Sequence, residues 1–284
     1  MIKRRVRATV RGAISIVNAI ATYSGSALGI SLRVTAEACL RAGEGVRFQA
    51  VNGKLMRNIV YNTIPNQILA ENSISISVKS EIPIGFGLKS SSAVSDAVAL
   101  ACSKLVKEEI EDYAVLDSAV LASLDAGVTT TGAYDDSTAC YFGGFVVTNN
   151  RTRELIHHEK APTNLSAIIF LPKATRRGNI VKLNIMSDLF GEAFKLAKAG
   201  EYWKAMNLNG MLLSTSLSTE YEPVIKAIRA GALAASISGN GPAIAAVSYN
   251  EEIEKIKAAF AKFDGSVIVS KINNEKATAE TLDG

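Results

Sequence analysis

Residues 83–93 read Pro83-Ile84-Gly85-Phe86-Gly87-Leu88-Lys89-Ser90-Ser91-Ser92-Ala93. The run before them, Ser73 to Lys79 (SISISVK), alternates strictly and predicts a strand. The run that begins at Ser90 (SSSAVSDAVALACSKLVKEE) is alanine-rich, with apolar residues at helical spacing. Glycines between a strand and a helix let the backbone double back and leave its N–H groups bare. The helix start adds unpaired donors and a partial positive charge. Three serines add hydroxyls, and the whole predicts a cradle for an anion, above all phosphate. It is not a Walker A loop, because Leu88 stands where a glycine should precede Lys89. It is not the dinucleotide fingerprint, whose third glycine is replaced by Ser90.

The composition narrows the chemistry further. The chain has 284 residues, 48% hydrophobic and 20% charged, enough for one large domain or two fused ones without disulfide staples. Cys39, Cys102 and Cys140 are far apart, and no CxxC occurs. The two histidines, His157 and His158, are adjacent, which excludes HExxH, three-His zinc and a Ser-His triad drawn from distant segments. A chemistry that needs a basic group must therefore use carboxylates, lysines or the backbone. The net charge of +4 suits an anionic small molecule, and scattered basic residues with few aromatics among them argue against nucleic acid. The one dense basic cluster, Lys3 to Arg11, is followed by Ser15, Asn18, Thr22 and Ser24 rather than by an apolar core. No run of ~18 apolar residues occurs, so the expectation is a cytoplasmic protein without a membrane partner.

Strands are expected around residues 5–11 and 28–38, and short strand-like stretches over 46–62 around Asn52-Gly53. Helices are expected at 111–126, twice within 182–217, at 222–230 and at 251–263. A strand pair is expected over 137–148, with further strands at 167–171, 234–238, 243–247 and 267–271. This order, without regular βαβ alternation, predicts an α+β chain. A soft boundary near Asn149-Asn150 divides it into 1–150 and 151–284.

Two more segments bear on chemistry. Thr129-Thr130-Thr131-Gly132-Ala133-Tyr134-Asp135-Asp136-Ser137 carries adjacent carboxylates that need a cation or solvent nearby, and it leads to Gly143-Gly144. Asp125 lies eleven residues before Asp136, at the end of a mostly apolar helix. Ser236-Ile237-Ser238-Gly239-Asn240-Gly241-Pro242 is a tight glycine turn that permits close backbone approach. Each alone reads as an ordinary capped helix, solvated loop or plain turn.

Taken in order, the three segments resemble the GHMP kinase superfamily, named for galactokinase, homoserine, mevalonate and phosphomevalonate kinases. Its second motif, PxxxGLGSSAA, is matched by PIGFGLKSSSA, and its third, SGSGP, by SGNGPA. The resemblance runs from Arg11 to beyond Val247. Within the superfamily the chain looks most like the archaeal-type shikimate kinases, on GAISIVNAIATYSGSALGISL (12–32), GLKSSSAVSDAVALA (87–101) and TGAYDDSTACYFGG (131–144).

The resemblance implies a two-lobed GHMP kinase fold. Its N-terminal lobe would have a ribosomal-protein-S5-like β/α topology, and its C-terminal lobe an antiparallel sheet with helices. It implies ATP as co-substrate, wrapped by Pro83 to Ala93, and Mg²⁺ held by Ser91 and Asp125. It places Asp136 as catalytic base with Asp135 beside it, and a one-residue shift would exchange the two. Ser238, Gly239, Asn240 and Gly241 form the third-motif loop. For shikimate as acceptor, Asn18 and Thr22 would bond its hydroxyls, and Arg176 and Arg177 are candidates for its carboxylate. Two departures stand out. Arg11-Gly12-Ala13 replaces the usual PGK, so the first-motif lysine that assists the aspartate is absent, and Asp125 is shorter than the usual glutamate. The expected activity is phosphorylation of the 3-hydroxyl of shikimate. The alternatives are a kinase of homoserine or an isoprenoid alcohol, and a metabolite-binding relative without turnover. The oligomeric state stays open.

Overall fold

The computed structural model describes residues 2–49, 53–173 and 180–282. Two long strands, β1 (Ile2–Val17) and β2 (Ser24–Ala42), form an antiparallel hairpin at the centre of a seven-stranded sheet. Near its start, Ser24 to Leu28 of β2 pairs with β5 (Phe145–Asn149), and further on Val34 to Ala42 pairs with β4 (Asn72–Ser80). The short β3 (Val46–Gln49) runs parallel to β4 at one edge, and β6 (Glu154–Glu159) pairs with β5. A second, antiparallel sheet has the order β10 (Gly265–Lys271), β7 (Leu165–Pro172), β9 (Ile244–Tyr249), β8 (Ala234–Ile237). The last strand, β11 (Thr278–Leu282), returns to pair with β1. The first sheet thus takes strands from both sides of residue 150. One apolar cluster also runs between the lobes, joining Val6, Ala97 and Val147 to Ile169 and Val247.

The alanine-rich segment is helix α3 (Ser90–Val106), and its composition follows from its position. It lies against β1 and β2 on one side and against α1 (Gly53–Thr63), α4 (Asp112–Asp125) and α5 (Tyr134–Phe142) on others. Ala93, Ala97, Ala99 and Ala101 are fully buried, because only small side chains let this many elements approach one helix.

Two expectations need correction. Residues 46–62 are not mainly strand: only Val46–Gln49 pairs, and from Gly53 the chain is helical with Leu55, Met56, Ile59 and Val60 buried along one face. Asn52 of the expected turn lies outside the described residues. Residues 137–148 are not a strand pair, because β-prone Thr138, Cys140, Tyr141 and Phe142 close α5 before β5 begins. Tertiary burial overrides propensity there, and Gly143 at φ +71° ends the helix. The expected helices at 182–217 are a 3-10 segment Ile180–Met186 followed by α6 (Ser187–Lys198) and α7 (Tyr202–Leu217).

The basic cluster of β1 is internally neutralised: Arg4 pairs with Glu108, Arg5 and Arg7 with Glu37, and Arg11 with Glu275. Among the described residues no helix is long and apolar enough to cross a membrane.

Candidate active site

The loop after β4 carries positive φ at alternate residues: Gly85 at +84°, Gly87 at +82° and Lys89 at +63°. Alternating backbone hand turns successive N–H groups toward one concave side, the geometry of an anion nest. The loop delivers the chain to the start of α3, where no side chain caps the helix. Uncapped donors at the end of a 17-residue helix suit a phosphate chain.

The third-motif turn closes over this loop. Ser238 Oγ donates to the Gly87 carbonyl at 2.8 Å and accepts from the Ser15 N–H at 3.2 Å. Ala243 N–H reaches the Phe86 carbonyl at 3.2 Å. The approach is so close that a Cβ at Gly87 would overlap the Ser238 carbonyl oxygen.

Beside the loop, α5 begins at Tyr134, with Asp135 and Asp136 in its first turn, where the helix dipole favours negative charge. Asp136 Oδ1 lies 2.8 Å from Lys89 Nζ, and its side chain is 18% exposed. Asp135 points inward. Its Oδ1 accepts from Asn150 Nδ2 at 2.7 Å, and its N–H donates to Asn150 Oδ1 at 3.1 Å. Burial, then repulsion from Asp136, pushes the Asp135 carboxyl up to about 7, with Lys89 and Asn150 pulling the other way. For Lys89 itself burial favours loss of the proton, but the carboxylates of Asp136 and Asp135 outweigh it and hold the ammonium above the ordinary lysine value. Behind them Asp96 is fully buried, receives the Ser137 hydroxyl at 2.9 Å and is driven well above the carboxylate range by burial.

Asp135 makes stability depend on pH. Its folded value lies above the unfolded value of about 4, so the folded state binds this proton more tightly. The stabilisation is complete below pH ~4 and is lost as pH rises through about 7. Thermal melts of Asp135→Asn against wild type are expected to show a difference that shifts in the mutant's favour from pH 4 to 7 and then levels off. A difference constant across that range would contradict the burial argument.

A cavity of about 300 Å³ opens between these elements. It is lined by Gly85, Gly87 to Ser92, Thr129 to Ala133, Asp135, Asp136 and Gly239 to Gly241, with Ser15, Asn18 and Ser123 at its sides. Four residues of the expected ATP loop do not line it. Ile84 is exposed, Pro83 is half-buried, Phe86 packs on the core and Ala93 lies within it.

Three further expected site residues are placed as follows. Asn18 lines the cavity, but its polar atoms are already engaged: Nδ2 donates to Gly239 O and Asn240 Oδ1, and Oδ1 accepts from Ile20 N–H. It ties the first motif to the third, and one Oδ1 lone pair remains uncommitted. Thr22 closes a local turn with Ser24 and does not line the cavity. Asp125 is exposed and also outside it. Helical rotation explains this last case: Ser123 faces α3 and bonds Ser95 at 3.1 Å, and two residues on the chain has turned about 200° toward solvent. The Mg²⁺ titration of Asp125→Asn is therefore expected to superimpose on wild type, and a raised Mg²⁺ requirement would return Asp125 to the site. Arg176 and Arg177 lie outside the described residues.

Sequence reading missed Ser15, Asn209 and Asn150. Fully buried Asn209 accepts from Asn18 N–H at 2.9 Å and donates to Ser236 Oγ at 3.0 Å, joining α7 to the first and third motifs. Neither asparagine sits in a motif, so spacing offered no signal. The threonines 129–131 were visible as a run without a role.

Among the described residues no three or more His, Cys, Asp or Glu side chains are grouped to hold a metal ion. The oxygen donors at the start of α3, Ser91 and Ser92, fit a hard cation that arrives already bound to phosphates and needs few protein ligands.

A nest, an uncapped helix and a paired aspartate suit phosphoryl transfer, and the sequence comparisons place the chain among kinases. Residues 54–144 match the family described as GHMP kinases N terminal domain, and residues 193–265 match GHMP kinases C terminal. The chain belongs to the GHMP kinase family. It is 36% identical to a curated shikimate kinase of Methanothrix thermoacetophila, over 97% of this chain and 96% of that one. It is 37% identical to a shikimate kinase of Pyrococcus furiosus, over 91% and 96%. A homoserine kinase from Cytophaga hutchinsonii shares the fold with a TM-score of 0.73 at 22% identity, covering 97% of each chain.

Proposed function

We propose that this kinase transfers the γ-phosphoryl group of ATP to the 3-hydroxyl of shikimate. The observation that carries this reading is the similarity to curated shikimate kinases along nearly the whole chain. The cavity supports it. Its lining offers serine and threonine hydroxyls, backbone amides and carboxylates beside the apolar Ala19, Ile20, Val128 and Ile180, and the polar part suits a polyhydroxylated acid.

The loop from Gly85 to Ser92 holds the phosphates through N–H groups and hydroxyls. Ser91 and Ser92 at the start of α3 would hold Mg²⁺ together with the nucleotide, and the ion would supply neutralisation of the phosphate charge. Asp136 takes the proton of the acceptor hydroxyl as its oxygen bonds to the γ-phosphorus. The bond to the leaving oxygen breaks with its electron pair going to ADP. The only cation among the described lining residues is Lys89, already committed to Asp136. Arg176 and Arg177 are the candidates for the substrate carboxylate. A coupled ADP-release assay with shikimate, homoserine, mevalonate and galactose tests the reading, with turnover expected on shikimate. Turnover only on another acceptor would overturn the substrate, and release with none would favour a relative that binds without turnover.

A further inference from the structure

Lys89 is unusual on three counts. It holds a left-handed backbone, φ +63° and ψ +25°, which costs a residue with a Cβ about 1–2 kcal/mol. Its side chain, long, flexible and normally hydrated, is 5% exposed. The ammonium is engaged by side chains of β1 and α5. It donates to Ser15 Oγ at 2.6 Å and lies 2.8 Å from Asp136 Oδ1. The same Ser15 oxygen accepts from the Gly239 N–H at 2.9 Å. One buried ammonium therefore links β1, the glycine loop, the third-motif turn and the first turn of α5.

We propose that Lys89, pinned by Ser15, is a positioning residue that sets Asp136 for phosphoryl transfer. The inference rests on Asp136 being the base. A carboxylate on a helix start can rotate about its side-chain bonds. Fixing one oxygen against an ammonium leaves the other to meet the acceptor hydroxyl in a single orientation, and misplacement by about 1 Å can cost ~10²-fold in rate. Ser15 completes the arrangement, because Nζ would otherwise be free to swing within its slot. The hydroxyl can serve Lys89 and Gly239 at once, since an oxygen accepts through two lone pairs. The strained backbone is then the consequence of aiming a long side chain inward from a turn that glycine would make with less strain.

The test uses Lys89→Gly, which eases the backbone, and Ser15→Ala, beside wild type and Asp136→Asn. Melting curves and the Kd of a non-hydrolysable ATP analogue serve as controls. Lys89→Gly is expected to melt as a folded protein, bind the analogue within about three-fold of wild type and lose ~10²-fold in kcat with little change in shikimate KM. Ethylammonium, small enough to enter the vacated slot, should restore part of that kcat, while tetramethylammonium should not. Ser15→Ala is expected to lower kcat less, without moving KM. Unchanged kcat in Lys89→Gly overturns the proposal while leaving Asp136 as base, provided Asp136→Asn is inactive. Loss of analogue binding without an amine-rescuable kcat defect also overturns it, because Lys89 would then be a phosphate ligand. An active Asp136→Asn overturns the base reading itself.

Discussion

Asp136→Asn is expected to lower kcat by ~10²–10⁴-fold, the range of a positioned base, while shikimate KM stays within a few-fold. Asparagine keeps the shape and one acceptor oxygen but takes no proton. No histidine is placed to substitute, since His158 bonds the Gly143 carbonyl and His157 lies on β6 beside Glu159. The substitution also leaves the Lys89 ammonium without its 2.8 Å counter-charge in a slot that is 5% exposed. A lowered melting temperature should therefore accompany the kinetic loss. Initial rates have to be taken below that temperature, so that the two effects separate. Asp135→Asn is expected to do less to kcat, because Asp135 is turned inward onto Asn150. If Asp135→Asn proves the deeper kcat lesion, the roles of the two neighbours are exchanged.

Gly87→Val is expected to abolish measurable nucleotide binding and to destabilise the fold. Two costs combine. A β-branched residue at φ +82° is strained by about 1–2 kcal/mol. Its Cβ overlaps the Ser238 carbonyl oxygen, and overpacking typically adds about 1–3 kcal/mol. The second cost falls on backbone, which cannot rotate away as a side chain would. The third-motif turn must retreat, releasing the Ser238 hydroxyl from the Gly87 carbonyl and the Ala243 N–H from Phe86. Titration with an ATP analogue, followed by chemical denaturation, measures both effects. Affinity unchanged in a fully stable variant would show that the two loops do not have to meet. The sequence alone suggests that Gly87 is small to admit phosphate, whereas the structure shows a loop-to-loop contact that forbids a side chain even before nucleotide is considered.

Much of this protein was legible along the chain. The strict alternation of Ser73 to Lys79, the glycine turn and the alanine-rich helix are local patterns, governed by backbone sterics and side-chain period, and they appear as β4, the nest and α3. The three motifs, read in order, also identified the kinase family. What spacing could not decide is which way a side chain points once distant segments meet. The eleven-residue step from Asp125 to Asp136 suggested a metal ligand, yet the register of α4 turns Asp125 to solvent. Asn18 looked free for substrate until Gly239, Asn240 and Asn209, some two hundred residues away, engaged its side chain and backbone. Residues 137–142 looked like strand, because propensity does not know that the segment will be buried against α3 and β2. Lys89 shows the same division. Its place in the glycine loop is sequence, but its pairing with Asp136 across 47 residues of chain, with Ser15 beneath both, exists only because β1, α3 and α5 pack together and bury the charge.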